Sequence, residues 1–325
     1  METAEKYRSA LYAGIVGDAL GVPVEFSPRE ELALRSVKNM FGYGRYDQPA
    51  GTWSDDTSLT LCTMESLCRG YDLEDMGQRF CRWLFESYWT ATGYVFDAGL
   101  TTFVALDTIH TDKKSAGESG CADEDNNGNG SLMRILPAAL YFARRPLAEM
   151  LKAIHEVSAV THAHPRAKMG CGIYATVVAE LLRNPDPAEA YRIAAASARR
   201  YYQGSKEFRG QLRHFSRILG LELLPIPAKE IGSSGYVVDT LEAAIWCFLR
   251  NDTTKDVLLA AINLGLDTDT TGMVAGGLAG IHYGIESIPD EWLDTLARKD
   301  ELDTLISSFV EAATTNGTTT AAAGA

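Results

Sequence analysis

Apolar positions recur at helical spacing along most of the chain. Tyr174, Val177, Val178, Leu181 and Leu182 form one stripe, Leu241, Ala244, Ile245, Phe248 and Leu249 another, and Leu258, Ala261 and Ile262 a third. Each predicts a helix with one face turned inward. Asp186-Pro187 supplies a capping carboxylate and then a first-turn proline, predicting the start of an alanine-rich helix that ends near Tyr202. No segment alternates apolar and polar residues convincingly, so the chain reads as all-α. Residues 111–130 (TDKKSAGESGCADEDNNGNG) are polar and rich in Gly and Asn, and read as a mobile loop. Residues 220–235, with Pro225, Pro227, Gly232 and Gly235, read as a second loop. Neither divides the chain, and residues 1–313 read as a single domain. The low-complexity tail from about Thr314 (314–325) is predicted to be disordered.

Glycine spacing refines this picture. Gly272, Gly276, Gly280 and Gly284 fall four apart and share one helix face, and Gly14, Gly17 and Gly21 make a similar stripe. A glycine in a helix costs up to about 1 kcal/mol relative to alanine. Close approach of two backbones would compensate, so the two stripes predict a tight crossing near the core. That crossing would carry the segment after Gly21, including Glu25, towards Asp267 and Asp269. Glycines that only mark helix ends are the plainer alternative.

Two acidic clusters lie more than two hundred residues apart: Ser54-Asp55-Asp56-Thr57 and Asp267-Thr268-Asp269-Thr270-Thr271. Each reads as a helix start. Leu59, Leu61, Cys62, Met64, Leu67 and Cys68 follow the first, and a small-residue helix to about Gly284 follows the second. Ser, Thr and Asp favour helix starts because their oxygens accept from unpaired backbone N–H groups, and the helix dipole there tolerates anions. One such cluster is ordinarily a cap and nothing more. Two of them, brought together, would gather four carboxylates and several hydroxyls. Like charges about 4 Å apart repel by roughly 4 kcal/mol at an effective dielectric near 20, so the cluster calls for cations. Two divalent ions would balance it, and oxygen-only ligands favour Mg²⁺ or Mn²⁺ over zinc.

Composition narrows the partners. The 325 residues are 46% hydrophobic and 22% charged, which is ordinary for a globular protein. A net charge of −13 argues against nucleic acid bound on a basic surface. The six cysteines are scattered without a Cys-x-x-Cys pair, which suggests a reducing, cytoplasmic setting. The N-terminus does not read as a signal peptide, because Glu2 and Glu5 offset Lys6 and Arg8 and Asp18 interrupts the apolar stretch. No run approaches the roughly 20 apolar residues of a membrane span.

Five segments, in this order, carry a family resemblance: Gly17-Asp-Ala-Leu-Gly-Val-Pro-Val-Glu-Phe26, Trp53-Ser-Asp-Asp-Thr57, Gly128-Asn-Gly-Ser-Leu-Met-Arg134, Thr161-His162 and Asp267-Thr-Asp-Thr270. They resemble the ADP-ribosylglycohydrolases, with the closest look to the bacterial dinitrogenase-reductase-activating type, over about residues 8 to 290. The resemblance implies a compact orthogonal multi-helix bundle with a binuclear Mg²⁺ or Mn²⁺ cleft. It implies a hydrolase that cleaves the N-glycosidic bond of ADP-ribosyl-arginine on a modified protein. No nucleic acid or membrane partner is expected, and the chain is expected to act as a monomer.

Carried over residue by residue, Ser54, Asp55, Asp56, Asp267, Asp269 and Thr270 are implied metal ligands. Glu25 is implied to handle the attacking water or the substrate. Asp97, in Phe96-Asp97-Ala98-Gly99, is implied to meet ribose hydroxyls or the departing guanidinium. Gly99, Asn129, Gly130, Ser131, His162 and Tyr236 are implied substrate contacts. The stretch Gly128–Ser131 precedes a helix predicted to start near Leu132, so its backbone N–H groups could hold a diphosphate. Asp18 reads as a buried hydrogen-bonding residue, Arg134 as structural and His164 as incidental. Leu100 stands where arginine-specific members often carry Asn, which leaves O-linked ADP-ribose (serine or a small ester) open as an alternative. A non-catalytic ADP-ribose-binding protein is a third reading. A metallophosphatase would normally show His among its ligands, and the acidic clusters contain none.

Overall fold

Two helices that are buried all round form the centre, and this follows from their composition. A helix apolar or small on every face has no side to give to water. In α1 (Thr3–Gly21) every residue from Ser9 to Gly21 is buried. In the helix Thr268–Tyr283 every residue from Thr268 to Ile281 is buried. The computed structural model describes residues 1–316. After α1 come α2 (Arg29–Leu34), α3 (Asp55–Leu67), α4 (Leu73–Glu86) and α5 (Leu100–Thr111). The middle of the chain forms α6 (Leu136–Phe142), α7 (Leu147–Ala159), α8 (Pro165–Arg183), α9 (Pro187–Gly204) and α10 (Ser216–Leu219). Next are α11 (Val237–Arg250), α12 (Thr254–Ile262), α13 (Thr268–Tyr283), α14 (Asp290–Thr295) and α15 (Lys299–Asn316). Among the described residues there is no sheet, only isolated bridges at Cys121–His162 and Gly128–Tyr236. The all-α reading stands. No helix among these residues is long and apolar enough to cross a membrane.

Helix α13 packs against α1, α3, α8, α11 and α12, and α1 also meets α15. The α1–α13 contact is backbone on backbone. A methyl added at Gly17 would sit 2.2 Å from the Gly272 carbonyl oxygen, and one at Gly276 would sit 2.3 Å from that of Ala13. At Gly21 it would sit 2.3 Å from the Asp269 nitrogen, so the last turn of α1 touches the first turn of α13. The predicted crossing is therefore present, with one refinement. Gly284 lies outside it and ends α13 with φ of 82°. Burying Ile15, Val16, Leu20 and Leu278 around the crossing contributes about 1.5–3 kcal/mol each, more than the glycines cost.

Three predicted boundaries need correction. The helix expected near Leu132 starts at Leu136, where Pro137 occupies a first-turn position, and residues 128–135 form turns closed by Leu132 N–H to Asn129 O (2.7 Å) and Ile135 N–H to Leu132 O (3.2 Å). The segment 111–130 is not loose. Cys121 ties it to residues 161–163 through Cys121 N–H to Thr161 O (3.0 Å) and Ala163 N–H to Cys121 O (2.8 Å), and Val237 N–H donates to Asn127 O (3.0 Å). Helix α15 runs through Thr314 to Asn316, and the rest of the expected tail lies outside the described residues.

The crossing generates a test. Gly17→Ala is expected to lower unfolding free energy by about 1–3 kcal/mol through overpacking. Gly204→Ala, at a position where an added methyl meets nothing within 4 Å, is expected to change it by less than about 0.5 kcal/mol. Urea denaturation of both variants checks this, and an unperturbed Gly17→Ala would contradict the close crossing.

Candidate active site

The crossing sets the N-terminus of α13 beside that of α3, and capping leaves the acidic side chains free. Asp18, on α1, accepts from the Ser54 backbone N–H (3.0 Å) and from the Thr57 backbone N–H (3.0 Å) and hydroxyl (2.5 Å). Ser54 Oγ accepts from the Asp56 N–H at 3.3 Å. Asp18 and Ser54 thus satisfy the first turn of α3, and Asp55 and Asp56 are not needed as caps. Asp18 is the buried hydrogen-bonding residue expected from its position.

On the α13 side, Thr268 Oγ1 donates to Gly21 O (2.8 Å) and holds the helix start against the end of α1. Asp267 Oδ2 accepts from Asn129 Nδ2 at 2.9 Å, and the same amide donates to Thr240 Oγ1 at 2.8 Å. Thr270 Oγ1 donates to Asp56 Oδ1 at 3.2 Å, which joins the two acidic clusters directly. Glu25 follows the 3-10 turn Val22–Val24. Its neighbour Phe26 bonds the α13 approach through Phe26 N–H to Leu266 O (2.6 Å) and Leu266 N–H to Ser27 O (2.8 Å). Phe26 and Leu266 both adopt positive φ, 62° and 61°, so this pairing holds two strained residues beside the site.

The result is a cavity of about 250 Å³ lined by six carboxylates, those of Glu25, Asp55, Asp56, Asp97, Asp267 and Asp269, with no Lys or Arg in its wall. Glu25, Asp97 and Asp269 each bring a carboxylate oxygen within 4.8 Å of the others, a spacing that could hold a metal ion. At that distance each charged pair repels by about 3.5 kcal/mol at an effective dielectric of 20. Buried Glu25 Oε2, Asp56 Oδ2 and Asp267 Oδ1 have no hydrogen-bond partner. Burial, and after it the charge of Asp97, pushes the Glu25 carboxyl up to about 8, against a lowering hydrogen bond from Tyr46. Burial pushes Asp18 up to about 6. It raises Asp55, Asp56 and Asp269 well above the ordinary range, with neighbouring carboxylates adding to each. Orphaned acceptors, hard oxygen donors and uncompensated negative charge fit divalent cations.

The structure draws most of the predicted site residues together. Glu25, Asp55, Asp56, Asp97, Gly99, Asn129, Gly130, His162, Asp267, Asp269 and Thr270 all line the one cavity. Three others stand apart from its wall. Ser54 is occupied as the α3 cap. Ser131 is fully buried behind the cavity, where its hydroxyl meets Ser158 Oγ (2.9 Å) and Cys171 Sγ (3.3 Å). Tyr236 sits outside the cavity wall with its ring 5.8 Å from the Arg166 guanidinium, and the neighbouring Gly235 forms the wall. With the helix start moved to Leu136, the turn at 128–131 presents no helix N-terminus to a diphosphate. His164 caps α8 by accepting from the Arg166 N–H at 3.1 Å. The amide bridge of Asn129 and the wall residues Thr101 and Thr102 leave no mark in the sequence, because lone residues of these types carry no spacing signal.

A family model described as ADP-ribosylglycohydrolase matches residues 1–319. ADP-ribosylarginine hydrolase Tri1 of Serratia proteamaculans is 30% identical over 308 residues, covering 94% of this chain and 78% of that protein. ADP-ribosyl-[dinitrogen reductase] glycohydrolase of Rhodospirillum rubrum is 31% identical over 290 residues, covering 88% of each. A solved structure described as an ADP-ribosylglycohydrolase-related protein complex superposes with a TM-score of 0.79 at 31% identity, covering 96% of this chain and 99% of that one. With a carboxylate-lined cavity built at a glycine crossing, and these matches running nearly end to end, the chain belongs to the ADP-ribosylglycohydrolase family.

Proposed function

We propose that this cavity hydrolyses the N-glycosidic bond of ADP-ribosyl-arginine on a modified protein, with two Mg²⁺ or Mn²⁺ ions as cofactors. The observation that carries the reading is the set of buried, unpartnered carboxylate oxygens in a wall without Lys or Arg. Asp55, Asp56, Asp267, Asp269 and Thr270 would hold the ions, with Ser54 at the edge of the set and Glu25 and Asp97 close by. When bound, the ions would fix ribose hydroxyls and polarise water.

The protein's own groups account for the rest. Positive charge grows on the anomeric carbon as the C–N bond breaks, and a wall of carboxylates favours that charge. Glu25, ionised once cations offset the charge of the neighbouring carboxylates and with one oxygen lacking any partner, would accept a proton from the water that adds to this carbon. The guanidine departs with the bonding electron pair and takes up the proton that Glu25 gained from the water, and Asp97 would face the resulting guanidinium. Relatives named for ADP-ribosylarginine and for dinitrogen reductase support this linkage and a protein substrate. Leu100 favours a second reading. It is 77% exposed and lines the cavity, so it gives a guanidinium no polar partner there, which suits serine- or ester-linked ADP-ribose.

Three expected outcomes follow from the site. Chelation is expected to abolish release of ADP-ribose from ADP-ribosyl-arginine peptides, Mg²⁺ or Mn²⁺ to restore it, and Asp269→Ala to lower the rate by at least about 100-fold. Chelated enzyme that neither ion rescues would overturn the proposal. Assayed side by side, arginine-linked peptides are expected to turn over faster than serine-linked ones, and the reverse order would select the second reading.

The third concerns pH. A carboxyl whose folded pKa is raised binds its proton more tightly when folded, so its contribution is fully present below the unfolded value near 4 and is lost as pH rises. The window runs through about 6 for Asp18 and about 8 for Glu25. The melting temperature of cation-free protein is therefore expected to fall as pH is raised from about 5 to about 8. Saturating Mg²⁺ is expected to remove most of that fall. A Mg²⁺-induced shift that does not grow with pH would contradict the charge account.

A further inference from the structure

Arg134 is a cation buried without a counter-ion. It is 0% exposed, its guanidinium lies 4.5 Å over the Phe80 ring, and it donates to Val157 O (3.3 Å) and Thr161 Oγ1 (2.8 Å), with no carboxylate partner among the described residues. An uncompensated buried charge is costly, so its retention asks for a reason. Thr161 Oγ1 also lies 2.8 Å from His162 Nδ1. A guanidinium only donates, so Thr161 accepts from Arg134 and has one proton left to give. Its one remaining partner is His162 Nδ1. The opposite tautomer would leave the hydroxyl proton of a fully buried Thr161 with no acceptor. His162 lines the cavity, and its Nε2 has no protein partner among the described residues. The loop above it is glycine by necessity, since a methyl at Gly130 would lie 2.8 Å from Cε1 and 3.3 Å from Nε2.

We infer that Arg134 is a positioning residue: through Thr161 it fixes His162 as the Nε2–H tautomer, a neutral hydrogen-bond donor aimed at an oxygen of the bound ADP-ribose. Burial, with Arg134 adding to it, holds the imidazole pKa down at about 3, so the ring is uncharged at neutral pH. In this state His162 neither ligates a divalent cation nor takes a proton from water, which leaves proton transfer to the carboxylates. The substrate half of this inference rests on the proposed function, whereas the tautomer half does not.

Long-range ¹H–¹⁵N correlation on the full chain, ¹⁵N-labelled at histidine and loaded with Mg²⁺, tests the relay. Wild type is expected to show His162 protonated at Nε2, bare at Nδ1 and without titration from about pH 5.5 to about 8. Thr161→Val is expected to lose that preference and to bind ADP-ribose about tenfold more weakly by calorimetry, and Thr161→Ser to restore both. A proton on Nδ1 in wild type, or an unchanged tautomer and affinity in Thr161→Val, would overturn the inference. A wild type that shows the Nε2–H tautomer but binds no ADP-ribose supports the relay and overturns the hydrolase reading instead.

Discussion

The contact between the backbones of α1 and α13 governs the rest of the structure. At Gly17, Gly21, Gly272 and Gly276 the two helices approach until no side-chain carbon fits between them. A methyl at Gly21 would fall 2.4 Å from the Asp269 Cα, so any side chain there would displace the residue at the centre of the acidic cluster. The geometry also explains Asp18. One turn before Gly21, it reaches the start of α3 and completes the capping that Ser54 begins. A single helix thus positions both acidic helix starts, one by backbone contact and one by a carboxylate.

Such an arrangement is electrostatically unfavourable by itself. Six carboxylates share one cavity wall, and the folded protein answers with raised pKa values and acceptors left without donors. Most buried polar groups are satisfied in native proteins, so three orphaned carboxylate oxygens in one cavity fit a site that could hold a cation. A cation resolves the charge, the orphaned acceptors and the like-charge spacing together. Two uncharged polar side chains in the same wall have a different character. Asn129 is spent on orienting Asp267, and His162 is held uncharged beside a buried arginine.

Much of this was legible in the sequence, because the signals were periodic or clustered. Helical stripes disclosed the all-α class, four-residue glycine spacing disclosed the crossing, and paired acidic helix starts disclosed the carboxylate cavity. What stayed hidden depends on single contacts between distant segments. The anchoring of residues 111–130 runs through backbone groups at 161–163 and 235–237, which leave no mark on side-chain composition. Ser131 belongs to a motif by position, yet turns rather than a helix follow Gly130 and its hydroxyl meets Ser158 and Cys171, while Tyr236, just before α11, sets its ring beside Arg166. The later helix start did have a signal, since Pro137 suits a first helical turn better than a second. The pairing of Arg134 with Thr161 and His162 had none, as no spacing rule connects an arginine in a turn to a hydroxyl twenty-seven residues on.

The central claim is that the two acidic helix starts form one cation site. Anomalous diffraction from crystals soaked in Mn²⁺ measures this most directly. The account predicts two strong peaks inside the cavity, bounded by Asp55, Asp56, Asp267 and Asp269. An empty cavity, or manganese found only at the exposed acidic surface, would contradict it.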